Sequence, residues 1–158
     1  MRATVISALT ILVLPLGLSA QQQPRDLSRL DACKVITSAD VSITAKRKNL
    51  GFTGGEAHCT YAVQSRDSMD TYELYLVEAA VMDSLLTAKG AQKGTPVSGV
   101  WNEAYIAPAD STPNQLTLVA VKKGDMAIRL LGPSSSKDVL IRLARLVVDR
   151  IKYSTFVN

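Results

Sequence analysis

Residues 116–152 read LTLVAVKKGDMAIRLLGPSSSKDVLIRLARLVVDRIK, and this stretch decides the fold class. Residues 116–121 and 126–131 are apolar runs of strand length. Lys123-Gly124-Asp125 between them supplies a turn, with Gly124 free to take positive φ. The pair reads as a hairpin, and Gly132-Pro133 stops its second strand. Helical spacing then takes over. Leu140, Leu143, Ala144, Val147 and Ile151 recur on one side, while Arg142, Arg145, Asp149 and Lys152 fill the other. Ser135, three residues before Asp138, makes a capping box with Asp in the Glu position. A hairpin followed by an amphipathic helix is the signature of a sheet with a helix packed on it.

Working outward towards the N-terminus, residues 100–107 read as a further strand. On it Trp101, Glu103 and Tyr105 alternate and are expected to share a face. Residues 80–92 read as a helix with Val81, Leu85 and Ala88 on one stripe, ended by Gly94 and Pro96. Residues 72–77 and 58–64 are strands that pair as a hairpin, the latter with Cys59, Tyr61 and Val63 on one face. Gly51, Gly54 and Gly55 mark a flexible loop. Before it, Asp31 caps a short helix over Cys33, Val35 and Ile36. Ser38 with Asp40 starts a second helix, weakened by the β-branched Val41, Ile43 and Thr44. The expectation is an α+β domain: an antiparallel sheet of about five strands backed by two or three helices.

The first 20 residues have another purpose. Arg2 precedes an apolar run at 5–14 (VISALTILVL), then Pro15, Gly17 and the small Ser19 and Ala20. That order is a secretory signal peptide, too short for a membrane span, with cleavage after Ala20 or Ser19. An uncleaved N-terminal anchor is the alternative. No cysteine lies near the cut, so no lipid anchor is expected. Residues 21–27 form a polar lead-in and 28–158 a single domain. The protein is expected to be exported, periplasmic or extracellular, with no membrane span once the signal is cleaved.

The chain has two cysteines, and both lie in the exported part. In an oxidising compartment Cys33 and Cys59 read as a disulfide, closing a loop of about 26 residues that stabilises by ~3.5 kcal/mol. Two buried free thiols are the alternative. Two Cys and the single His, His58, do not make a closed tetrahedral metal set without carboxylates. No metal and no cofactor is expected.

The chain holds 18 basic and 14 acidic residues; losing Arg2 leaves a net +3, small and scattered. The densest cluster, Lys46-Arg47-Lys48, has no aromatic neighbours to stack on bases, so no nucleic-acid partner is expected. Nucleophile elbows are absent. Ser134-Ser135-Ser136-Lys137 matches Ser-x-x-Lys, but the Ser-Asp-Asn and Lys-Thr-Gly partners are missing and a serine run before a helix is ordinarily a cap. Residues 90–95 (GAQKGT) have P-loop residue types in the wrong order. His58 lacks a sequence-positioned partner, and Glu73 and Glu78 lie on opposite strand faces. What remains is Trp101, Glu103 and Tyr105, two aromatics around a carboxylate, as a candidate binding patch, against the plainer reading that the aromatics are core.

Several short motifs occur in a familiar order: Asp31-Ala32-Cys33, Ser38-Ala39-Asp40, Cys59-Thr60-Tyr61, residues 96–105 (PVSGVWNEAY), Lys122-Lys123-Gly124-Asp125 and Leu143-Ala144-Arg145. Over residues 28–152 the chain resembles a loose group of exported bacterial domains of unknown function. Many are actinobacterial lipoproteins, and sensor-like extracellular domains of receptor kinases have a similar plan. That group typically has a Gly-x-Gly-Asp-x-Ala-Tyr segment; here Trp101-Asn102 replaces Gly-Asp, and the lipid-anchoring Cys is missing. The resemblance implies an α+β fold, a disulfide tying the N-terminal helix to the first strand, and no catalytic residues. The functional expectation is a secreted, non-catalytic binding or interaction module of the cell envelope, acting on an unknown envelope protein or small ligand. A small secreted hydrolase whose site assembles only in the fold is the alternative, and an accessory subunit of a membrane complex is a third.

Overall fold

A computed structural model describes residues 30–153 apart from 67, 79–80, 82–93, 110–113 and 123–124. In chain order its elements are α1 (Ala32–Val35), α2 (Ser38–Ala45), β1 (Asn49–Gly55), β2 (His58–Gln64), β3 (Met69–Glu78), β4 (Thr95–Pro96), β5 (Glu103–Pro108), β6 (Gln115–Lys122), β7 (Met126–Pro133), a 3-10 turn (Ser134–Ser136) and α3 (Lys137–Tyr153). The strands form one antiparallel sheet in the order β1-β2-β3-β7-β6-β5-β4.

The β6–β7 hairpin lies at the middle of this sheet, with Lys122 opposite Met126 at its closed end. Both faces of these strands are largely buried, Val119, Val121, Ala127 and Leu131 on the side away from α3 included, which is why both read as nearly continuous apolar runs. The α3 stripe is buried as its spacing predicts: Leu140, Leu143, Ala144, Val147 and Ile151 pack on Leu118, Ala120, Met126, Ile128 and Leu130 of the hairpin, and on Leu74 and Leu76 of β3. Arg142 and Arg145 stay exposed. The serines expected to cap α3 instead form the 3-10 turn, in which the Ser136 hydroxyl donates to the Pro133 carbonyl.

Seven strands replace the expected five. One addition is β1, the Gly-rich stretch read as a loop. Its sequence NLGFTGG has no apolar alternation, because both its faces are largely exposed at the sheet edge. Pairing with β2, from Gly51 opposite Ala62 to Gly55 opposite His58, makes it a strand. The other addition is β4, two residues long at the opposite edge, too short to leave a periodic signal. The helix expected over 80–92 lies, apart from Val81, outside the described residues.

Three ties fix the N-terminal helices to this frame. Cys33 of α1 and Cys59 of β2 form a disulfide, with Cα atoms 5.2 Å apart. Tyr61, two residues along β2, donates its buried hydroxyl to the carbonyls of Ile36 (2.8 Å) and Ala32 (3.1 Å). Arg150 of α3 donates to Asp40 in the first turn of α2 and to the Val35 carbonyl at 3.0 Å. A helix of four residues cannot hold itself together, so α1 exists because these partners hold it. Asp31 caps it, accepting from the Cys33 amide at 2.9 Å. The cap of α2 is Thr37 rather than Ser38, in a reciprocal capping box with Asp40. No helix among the described residues is long and apolar enough to cross a membrane.

Candidate functional site

Strand alternation gives the sheet two different faces. Cys59, Tyr61, Leu74, Leu76, Ile128, Leu130, Leu118, Ala120, Ala104 and Ile106 point to the side where α1, α2 and α3 pack. The register puts the intervening residues of these strands together on the other side. One row there crosses the whole sheet: Gly55, His58, Tyr75, Arg129, Val119, Tyr105 and Pro96. A parallel row holds Thr53, Thr60, Glu73, Leu131, Thr117 and Ala107, and on the other side of the first lie Val77, Ala127, Val121 and Glu103.

The side chains in these rows are joined. His58 stacks on Tyr75 with ring centroids 4.2 Å apart and planes 15° apart. The Arg129 guanidinium lies over the Tyr75 ring at 5.9 Å from its centroid, so the phenol stands between imidazole and guanidinium. Tyr75 donates its hydroxyl to Glu73 Oε2 at 2.5 Å. That carboxylate oxygen is 3.7 Å from His58 Nε2, which also meets the Thr60 hydroxyl at 3.2 Å. Arg129 Nε donates to the Thr117 hydroxyl at 3.2 Å. The hydrogen bond to Glu73, then burial, then the Glu73 charge push the Tyr75 phenol above its ordinary pKa, against the pull of Arg129. Tyr75 is therefore held as a neutral donor. Beside this polar group, Val119, Val121 and Ala127 form a small apolar cluster with Val77.

The three residues singled out in the sequence do not stay together. Glu103 and Tyr105 are on β5, half-buried, opposite Val121 and Val119, and so on the face of the His58–Tyr75–Arg129 row. Trp101 precedes the strand. The chain bends through residues 98–102, with Gly99 at φ 75° and Trp101 itself at φ 43°, and the indole packs half-buried against the helix-side core. The alternation that would align it with Glu103 does not begin until β5 starts at Glu103.

Sequence reading missed the larger part of the cluster: His58, Glu73, Tyr75, Arg129 and Thr117. One signal was present, since Arg129 interrupts the apolar run MAIRLL at a position that faces away from the core. The rest depends on register, which joins residues of four strands. The described residues contain no group of three or more His, Cys, Asp or Glu placed to hold a metal ion. Arg129 and His58 offer donors, Glu73 an acceptor, and Tyr75 and Tyr105 aromatic surface, while Val119, Val121 and Ala127 beside them are buried. That composition suits recognition, since aromatics and Arg dominate binding hot spots. No family model, no curated protein and no solved structure matches the chain.

Proposed function

We propose that the protein is an exported, non-catalytic binding module of the cell envelope, delivered by the signal at residues 1–20. It meets its partner with the sheet face that bears Tyr105, Glu103, Arg129, Tyr75 and His58. The observation that carries this reading is the row His58–Tyr75–Arg129–Val119–Tyr105, which gathers the aromatic and charged side chains on the side opposite the described helices. The disulfide is compatible with an oxidising compartment outside the cytoplasm. The ligand is an envelope protein or small molecule that lies against the half-buried Tyr75 and Tyr105 and offers groups to pair with Arg129 and Glu73.

The test compares capture from native envelope extracts by the purified protein and by its Arg129→Ala/Tyr105→Ala variant, with circular dichroism confirming that both are folded. A species retained by the first and lost by the second supports the reading. Equal retention by both overturns the placement of the site. Turnover of an envelope substrate that is lost on His58→Ala or Glu73→Gln replaces the binding module with a small hydrolase.

A further inference from the structure

Lys46, Arg47 and Lys48 make the densest run of positive charge in the chain, and residues 41–55 contain no acidic side chain to offset it. All three are exposed, and the fold places them between α2 and β1. Lys46 is the left-handed cap of α2, its amide donating to the Ile43 carbonyl at 3.2 Å. The Arg47 amide donates to the Ser42 carbonyl at 3.0 Å, and the Asn49 side-chain amide to the Ser38 hydroxyl at 3.0 Å, so the start of β1 is held to α2. The one acid of α2, Asp40, is already engaged by Arg150 and by the Thr37 cap.

Large apolar side chains stand in the open around these cations. Ile43 is 76% exposed because it lies on the outer side of α2, about 200° round the helix from the buried Val41. Leu50, 49% exposed, falls in the bulge between Asn49 and Gly51 and has no cross-strand partner on β2. Phe52, 55% exposed, is paired with Tyr61 and so lies on the helix side of the outermost strand. Three of the five large exposed hydrophobics among the described residues thus flank three consecutive cations, a grouping that singly scattered surface residues do not show. They project from a helix's outer side, a bulge and a sheet edge, and do not line a groove that would seat a peptide. We propose that this corner of the molecule adsorbs to an anionic lipid surface, with Ile43, Leu50 and Phe52 entering between the headgroups and Lys46, Arg47 and Lys48 pairing with lipid phosphates. Lysine stems lie along apolar surface while their ammonium groups stay at the phosphates. Three side chains bury little beside an acyl anchor, so the contact is reversible. Phe52 and α2 lie on the side of the sheet opposite the His58–Tyr75–Arg129 row, so the two contacts use different residues.

Vesicle flotation of the purified mature protein, residues 21–158, tests this, the signal being removed so that its own apolar run plays no part. Vesicles of phosphatidylcholine mixed with phosphatidylglycerol should carry the protein, vesicles of phosphatidylcholine alone should not, and added salt should release it. Lys46→Gln and Lys48→Gln should each weaken binding about fivefold. Arg145→Gln removes the same charge on α3, where Arg145 reaches Ser98 near the opposite edge of the sheet, and should weaken binding by less than about twofold. Leu50→Ser/Phe52→Ser keeps every charge and should weaken binding about tenfold. All these side chains are exposed, and circular dichroism checks that each variant is folded. No flotation with the anionic vesicles overturns the proposal. So do equal losses for Arg145→Gln and Lys48→Gln, which would reduce the effect to net charge. Full binding by Leu50→Ser/Phe52→Ser overturns it as well, and would make the corner a site for acidic macromolecules of any kind.

Discussion

Arg150 and Asp40 meet as a bidentate pair, with Nη1 at 2.6 Å from Oδ2 and Nη2 at 2.8 Å from Oδ1, joining the last turns of α3 to the first turn of α2. Asp40 is also the acidic half of the α2 capping box. One carboxylate thus fixes a helix start and anchors it to another helix 110 residues away in sequence.

Acid should undo this contact. Burial alone would raise the Asp40 carboxyl, but hydrogen bonds from Arg150 and Thr37 and the Arg150 charge outweigh it and lower it from 3.8 to about 2. A carboxyl with a folded pKa below its unfolded one contributes stability that is present above about pH 4 and lost as pH falls through about 2. Asp40→Asn should cost about 1–2 kcal/mol near neutral pH after allowance for solvent screening. In urea melts at pH values from neutral down to about 2, the gap between the two proteins should close. A gap that persists in acid contradicts the assignment.

The disulfide should leave no free thiol. Labelling of the denatured, non-reduced protein should give no signal, because the described cysteines are joined. Replacing both Cys33 and Cys59 by Ala should lower stability by about 3.5 kcal/mol, the chain-entropy value for a loop of 26 residues. Denaturant midpoints of the two proteins give the comparison.

The two sides of α3 should respond differently to truncation. Leu143 is fully buried in the main core, and Leu143→Ala should cost about 2–5 kcal/mol. Arg145 is exposed and donates to the Ser98 carbonyl at 3.1 Å, so Arg145→Ala should cost under about 1 kcal/mol. Similar small losses in the two variants would mean that the stripe does not bury as described.

Trp101→Ala should act on the fold and not on the proposed binding face. Its indole packs half-buried against the helix-side core, so removal should cost about 2 kcal/mol. Ligand capture below the melting temperature should be unchanged, whereas Tyr105→Ala should weaken capture with little loss of stability. The reverse pattern would return the site to Trp101.

What was legible in the sequence was whatever a periodic pattern or a covalent count records. The α3 stripe, the β6–β7 hairpin and the Cys33–Cys59 pair belong to that class. β1 escaped because three of its seven residues are glycine and neither of its faces is buried. A strand running from residue 100 puts Trp101 on the face of Glu103, and nothing in the residue type announces the positive φ that turns the chain there and leaves the indole against the core, the plainer of the two readings. The association of His58 with Tyr75 and of Tyr75 with Arg129 rests on the pairing of β2, β3 and β7. A shift of one residue in either pairing would put the partners on opposite faces.

The grip of β2 on the start of the described chain has a mechanical side. Cys59 and Tyr61 are on the same face of one strand, and together they hold Ala32, Cys33 and Ile36. A pull on the chain ahead of Leu30 does not first unwind α1. The load passes through a sulfur–sulfur bond into β2, which is hydrogen-bonded on both sides to β1 and β3. Tension thereby reaches a strand paired along both of its edges, and the described chain begins riveted to the frame.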